Sequence, residues 1–323
     1  MILKNKKGTS EMNIVFMGTP DFAVPCLKAL IENGENVQAV FTQPDKPKGR
    51  GYKLTPPPVK ELALTYNIPV YQPASLKNGA DADVTMQVLR ELSPDLIIVV
   101  AYGKILPKTI LDLPKYCINV HASLLPKYRG AGPIQWSVLN GEKTTGVTTM
   151  LMAEGLDTGD MLISKSTEIG ENETASELHD RLSILGAEVL LETIQSVKDN
   201  TLTPVKQDDS LSNYAPMLTK DMCAIDFSKS ALEVHNHIRG LSSFPGAMTM
   251  LSEKRLKVYK SLCLSDASTI AEPGTIVNTN DFTVACGDGK CVQFIEVQIE
   301  GSKRMNTTDF LRGKSIEPGT ILK

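Results

Sequence analysis

Residues 95–103 read DLIIVVAYG, and the unbroken apolar run from Leu96 to Val100 decides the architecture. A strand covered on one face alternates apolar and polar residues. A strand covered on both faces reads as a continuous apolar run, which is the mark of a parallel sheet. Upstream, NIVFM (13–17) is a similar run that ends at Gly18, and VQAVFT (37–42) is another. AVPCLKALIENG (23–34) has helical periodicity and stops at Gly34, while VKELALTYN (59–67) and DVTMQVLRELSP (83–94) read as further helices. Downstream, CINVHAS (117–123), VTTMLM (147–152) and MLISKS (161–166) read as strands. A long helix begins from Glu173, where Thr174 and Glu177 form a T-x-x-E capping box and leucines 178, 182 and 185 set an apolar stripe. This rhythm predicts an α/β fold with a doubly wound, mostly parallel sheet covered by helices on both faces.

The character of the chain changes after Lys198. Residues 199–219 have no periodicity, carry Pro204 and Pro216, and read as a linker. KSALEVHNHIRGLS (229–242) is one amphipathic helix, followed by short β-like runs such as LKVYKS, GTIVNT, FTVACG and CVQFIEVQIE. Short strands separated by Gly, Asp and Asn turns predict a small C-terminal β-barrel. The expected organisation is an extension over 1–11, a catalytic domain over 12–198, a linker over 199–219 and a barrel domain over 220–323.

Composition narrows the function. The chain has 323 residues, 41% of them hydrophobic, and a net charge of −3. It can bury a sizeable core, and it holds no apolar run long enough to span a membrane. The start lacks the apolar stretch and cleavage site of a signal peptide. Six cysteines, at 26, 117, 223, 263, 286 and 291, include no C-x-x-C pair. Reduced cysteines and a cytoplasmic location are expected. GTPDFAVP (18–25) is not a G-x-G-x-x-G fingerprint, and no phosphate-binding G-x-x-x-x-G-K-[ST] occurs, which argues against dinucleotide and nucleoside triphosphate binding. Of four histidines only 235 and 237 are close, at a helical spacing that does not share a face, so no catalytic metal is expected.

The densest chemical signal is NVHASLLPKYRGAGPIQW (119–136). Asn119 and His121 lie two apart at the end of a strand and so project from one face, at the edge where open α/β sheets bind ligands. An imidazole suits proton transfer near neutral pH. An amide N–H suits a carbonyl oxygen that is gaining negative charge. AEGLDTGDM (153–161) adds Asp157 and Asp160 on a glycine-flanked turn. A carboxylate beside His121 would orient the ring and favour its protonated form. The plain alternatives are that Asn119 and His121 satisfy local polar groups and that Asp157 only forms a turn.

PDKPKGRGYKLTPPPVK (44–60) carries Lys46, Lys48, Arg50, Lys53 and Lys60 against Asp45 alone. Cations at this density neutralise phosphates and release counterions, and Tyr52 could stack on a base. The bland reading is a solvated surface loop.

With VFMGTPDFAVPCL, QPDKPKGRG, PPPVK, GLDTGDM and FPGA added to the 119–136 segment, the chain resembles the formyltransferase family that uses 10-formyltetrahydrofolate. The resemblance covers nearly the whole length. It implies a Rossmann-like catalytic domain followed by an OB-like barrel. It also implies that Asn119, His121 and Asp157 match the family's catalytic three, and Ser123, Leu124, Leu125 and Pro126 its folate-binding segment. The longer motifs imply that the acceptor is the α-amine of methionine on initiator tRNA. The 44–60 loop would then contact the acceptor end, with Arg50 leading and Lys46, Lys48 and Lys53 beside it. The implied enzyme is a cytoplasmic monomer that needs no metal. The rivals are a UDP-amino-sugar formyltransferase and an RNA-binding module with an idle α/β domain. Phe244 stands where the family usually has tryptophan before Pro-Gly-Ala.

Overall fold

The computed structural model describes residues 12–48 and 53–323; the expected extension, 1–11, lies outside the described residues. Contacts divide the chain into two compact units. One comprises Met1–Arg129, Gly146–Ser166 and Asp180–Asn213, the other Gly130–Thr145, Thr167–His179 and Tyr214–Lys323.

The first unit is built on a twisted seven-stranded sheet. Its elements begin with β1 (Asn13–Gly18), α1 (Val24–Glu32), β2 (Asn36–Phe41), β3 (Lys46–Lys48), β4 (Lys53–Thr55) and α2 (Pro58–Thr65). They continue with β5 (Val70–Tyr71), α3 (Ala80–Leu92), β6 (Leu96–Val100), α4 (Lys108–Leu111) and β7 (Tyr116–His121). After α5 (Pro133–Leu139), which falls in the other unit, come β8 (Thr144–Leu151), β9 (Met161–Glu168) and α6 (Ala175–Lys198), of which residues 144–145, 167–168 and 175–179 also group with the other unit. The strand order is β5-β2-β1-β6-β7-β8-β9. The pairs from β5 through β7 are parallel, and β8 runs antiparallel to β7.

The apolar runs explain the layering. Val15, Met17, Ile97, Val99 and Cys117 form one buried cluster with Leu89 of α3 and Tyr102. On the opposite face α6 meets the sheet at Gly186, where an added Cβ would come within 3.2 Å of Val120 and 3.8 Å of Cys26. Each fully buried aliphatic side chain contributes about 1.5–3 kcal/mol. Proline in the first turn of α1 and α2 presets the helical φ where an N–H has no intrahelical partner. The capping box of α6 forms as read: Thr174 N–H donates to Glu177 Oε2 at 2.9 Å, and Glu177 N–H to Thr174 Oγ1 at 3.3 Å.

The second unit contains α7 (Ala231–Leu241), β10 (Ala247–Leu251), β11 (Lys254–Ser268), β12 (Ile276–Asn278), β13 (Thr283–Ala285), β14 (Lys290–Ile299), β15 (Met305–Asn306) and α8 (Thr307–Gly313). These strands make an antiparallel half-barrel in the order β10-β11-β14-β13-β12, with β15 on β14. Ile238 and Leu241 of α7 pack with Val258, Phe282, Phe294 and Phe310 in its core. Ser230 and Glu233 close the start of α7 with a second capping box. Helix α5 was not read from the sequence because its seven residues make fewer than two turns of apolar periodicity.

The stretch read as a linker divides between the units. Residues up to Asn213 group with the first unit, where Val205 bridges antiparallel to Met161. From Tyr214 onward the chain groups with the second. No helix among the described residues is long and apolar enough to cross a membrane.

Candidate active site

Strand β7 ends at His121, so Cys117, Asn119 and His121 fall on one face by strand alternation. Cys117 packs in the apolar cluster, and burial pushes its thiol up to about 12, which removes it as a nucleophile at neutral pH. Asn119, half-buried, lies beside Val99 of β6 and Met150 of β8. His121 is 6% exposed.

The imidazole is held at one nitrogen and faces a carboxylate with the other. Nε2 lies 2.9 Å from the backbone oxygen of Tyr128, which can only accept, so Nε2 carries the proton of the neutral ring. Nδ1 is then the atom with the available lone pair, and it faces Asp157 Oδ2 at 3.7 Å. The 3.7 Å separation exceeds a hydrogen bond but makes a close ion pair once Nδ1 gains a proton. The structure therefore brings two of the three expected catalytic residues together, with Asn119 one alternation away along the same strand.

The Asp157 turn is supported from outside its own sequence. Asp157 has φ +52°, in the left-handed region that non-glycine residues enter only when neighbouring groups hold them. Gln207, 5% exposed, donates through Nε2 to the carbonyls of Asp157 at 2.8 Å and Gly159 at 2.7 Å. Its Oε1 accepts from Arg129 Nε at 3.0 Å and Nη2 at 2.8 Å, and Arg129 also pairs with Asp209 at 2.7 Å. The loop that carries the Tyr128 carbonyl is tied to the same segment. Tyr128 N–H donates to the Asn213 side chain, and Arg129 N–H to the Asn213 carbonyl at 3.0 Å. Gln207 and Asn213 carry no local signal in the sequence, and Arg129 showed only as part of a basic pair.

Ser123 to Pro126 follow directly. Ser123 is fully buried, its hydroxyl donating to the Lys127 carbonyl at 2.6 Å and its own carbonyl accepting from Thr148 Oγ1 at 2.8 Å. Leu125 N–H donates to Thr148 Oγ1 at 3.2 Å. Thr148, which the sequence reading did not single out, thus fixes the turn and leaves half-buried Leu124 and Pro126 as its available apolar surface.

The basic loop forms a two-stranded hairpin, with Lys46 opposite Thr55 and Lys48 opposite Lys53. Lys46 is exposed. Arg50 lies outside the described residues. Lys60, counted with the loop's charge in the sequence, sits on α2, where its ammonium meets Asp45 at 2.8 Å. Hydrogen bonds from Gln72 and Lys60 hold the Asp45 carboxyl below its ordinary range.

Comparison with known proteins identifies the family. The formyl transferase family model matches residues 12–194, and the model for the formyl transferase C-terminal domain matches residues 217–315. The methionyl-tRNA formyltransferase of Clostridium novyi is 54% identical over 97% of this chain and 100% of its own length. That of Alkaliphilus oremlandii is 52% identical over 96% and 99%. Among solved structures, the N-formyltransferase of Helicobacter canadensis, in complex with folinic acid and dTDP-3-aminofucose, has the same fold. It superposes with a TM-score of 0.67 at 21% identity over 88% of this chain and 98% of that one. The chain therefore belongs to the formyl transferase family, carries both of its domains in order, and sits among the methionyl-tRNA formyltransferases.

Proposed function

We propose that the chain transfers the formyl group of 10-formyltetrahydrofolate to the α-amine of methionine on initiator tRNA, acting as a cytoplasmic monomer. The observation that carries the chemistry is the His121 ring, with Nε2 committed to the Tyr128 carbonyl and Nδ1 turned toward Asp157. The folate supplies the formyl carbon and, in N10, the leaving nitrogen. Asn119 donates to the formyl oxygen as it gains charge. His121 Nδ1 accepts the proton that the amine loses when the new C–N bond forms, and returns it to N10 as the old bond breaks. Asp157 lies close enough to stabilise the imidazolium formed in between. Half-buried Leu124 and Pro126 beside this polar group suit a flat ligand with a polar reacting end. Lys46, Lys48, Arg50 and Lys53 bind acceptor-end phosphates.

Sugar formyltransferases share the fold, but the cationic hairpin favours a polyanionic acceptor over a sugar nucleotide. The test supplies 10-formyltetrahydrofolate with either methionyl-tRNA or a UDP-amino sugar. Formylation of the charged tRNA alone is the expected result; formylation of the sugar, or of neither, overturns the reading.

A further inference from the structure

Where the basic hairpin leaves the sheet, its root is tied down by a continuous polar seam. Lys60 Nζ donates to both Asp45 oxygens, at 2.8 and 2.9 Å, and to Gln72 Oε1 at 2.8 Å. Gln72 Nε2 donates in turn to Asp45 Oδ1 at 2.7 Å and to the Gln43 carbonyl at 2.8 Å. Gln43 reaches past the end of β1 to the end of β6, where its Nε2 donates to the carbonyls of Tyr102 at 3.1 Å and Gly103 at 3.2 Å. Thr19 Oγ1 meets the same Tyr102 carbonyl at 3.0 Å. Gly103 has φ +74°, and a Cβ there would lie 2.4 Å from Gln43 Nε2, so only glycine lets Gln43 approach. Finally, Lys46, the first cation of the hairpin, donates to Gln43 Oε1 at 2.7 Å.

These residues follow the carboxyl ends of β5, β2, β1 and β6, which are neighbours in the sheet. The seam therefore spans the edge on which His121 also lies. From β2 to β7 is three strand spacings, or about 14 Å. A solvated loop needs none of this, and in one the amides of Gln43 and Gln72 would turn to water. Here both are satisfied by protein groups: carbonyls that follow β2 and β6, Asp45, Lys46 and Lys60 of α2.

We propose that Asp45, Lys60, Gln72 and Gln43 are positioning residues that pre-set the basic hairpin on the carboxyl edge of the sheet, ready for a polyanionic acceptor. This rests on the reading of the hairpin as the tRNA-binding arm. Fixing the root before encounter removes part of the ordering entropy that a floppy arm would lose on binding. It changes how well the cations are placed and leaves their number as it is.

That difference gives the test. Gln72→Leu and Asp45→Asn are compared with a variant in which Lys46, Lys48 and Lys53 are all serine. Measured are kcat, KM for methionyl-tRNA at several salt concentrations, KM for the folate, and thermal midpoint. The expected result for the seam variants is a KM for tRNA raised about tenfold, equivalent to the loss of one well-ordered contact. Their kcat, folate KM and salt slope stay as in the parent, because the slope follows the number of phosphates neutralised. The triple-serine variant should flatten the slope. Lys60→Arg, which keeps a cation on Asp45, should restore tRNA KM relative to Lys60→Met. If the triple-serine variant weakens tRNA binding and the seam variants do not, the positioning role is overturned while the tRNA arm stands. If the triple-serine variant leaves tRNA KM unchanged, the arm itself is wrong. A parallel loss of kcat, both KM values and thermal midpoint in the seam variants would show a merely structural network and also overturn the proposal.

Discussion

His121 and Tyr128 are joined by a hydrogen bond from the imidazole Nε2 to the backbone carbonyl, 2.9 Å long and buried. This one contact assigns the ring's chemistry, because a carbonyl cannot donate and the proton must sit on Nε2. The reactive lone pair is therefore on Nδ1, on the side of Asp157.

The first prediction follows from that assignment. Nitrogen-15 NMR of the neutral protein should show His121 as the Nε2–H tautomer. His121→Ala should lower turnover by about 10²–10⁴-fold, the usual contribution of a positioned acid–base group, with tRNA affinity little changed. An Nδ1–H signal, or near-normal turnover in the variant, would contradict the role given to the ring.

Gln207 should matter far more than its place in an aperiodic stretch suggests. Gln207→Leu leaves the carbonyls of Asp157 and Gly159 and the Arg129 guanidinium without their buried partner. Such unsatisfied groups cost about 1–3 kcal/mol. Denaturant unfolding should register that loss. Turnover should fall about tenfold or more as the Asp157 turn relaxes, with tRNA KM unaltered. A variant matching the parent in both measurements would remove Gln207 from the site.

Gly159 should tolerate no side chain. A Cβ there would stand 1.7 Å from the Leu151 carbonyl oxygen, a backbone atom that cannot swing aside. Gly159→Ala should therefore displace the Asp157 turn and lose nearly all turnover. Gly313→Ala, where a Cβ meets nothing within 4 Å and the backbone is not left-handed, serves as the control and should keep it. Equal activity in the two variants would refute the packing argument.

Glu177 links stability to acid. Burial raises its pKa, but the hydrogen bond from Lys260 and those from Thr174 outweigh that and hold the carboxyl at about 2, against an ordinary 4.5. A depressed folded-state value stabilises the protein above the ordinary value, and the gain vanishes as pH falls through the folded one. Glu177→Gln should thus be less stable than the parent at about pH 6, by roughly 1 kcal/mol for a half-exposed pair and cap. The gap should close between about pH 4.5 and 2. Denaturant melts across that range check it, and a gap constant with pH would sink the linkage.

The sequence alone carried the layered sheet, both domains and the placing of Asn119 beside His121. Each of these is local: an apolar run such as Leu96–Val100, a capping box three residues wide, a two-residue strand alternation. Only the tertiary structure decided which nitrogen of His121 works, that Gln207 supports Asp157 from 50 residues away, and that Lys60 pairs with Asp45. Those outcomes depend on which strand ends lie side by side and on which loops cross above them. Strand order is set by packing across the whole sheet, and no local periodicity encodes it.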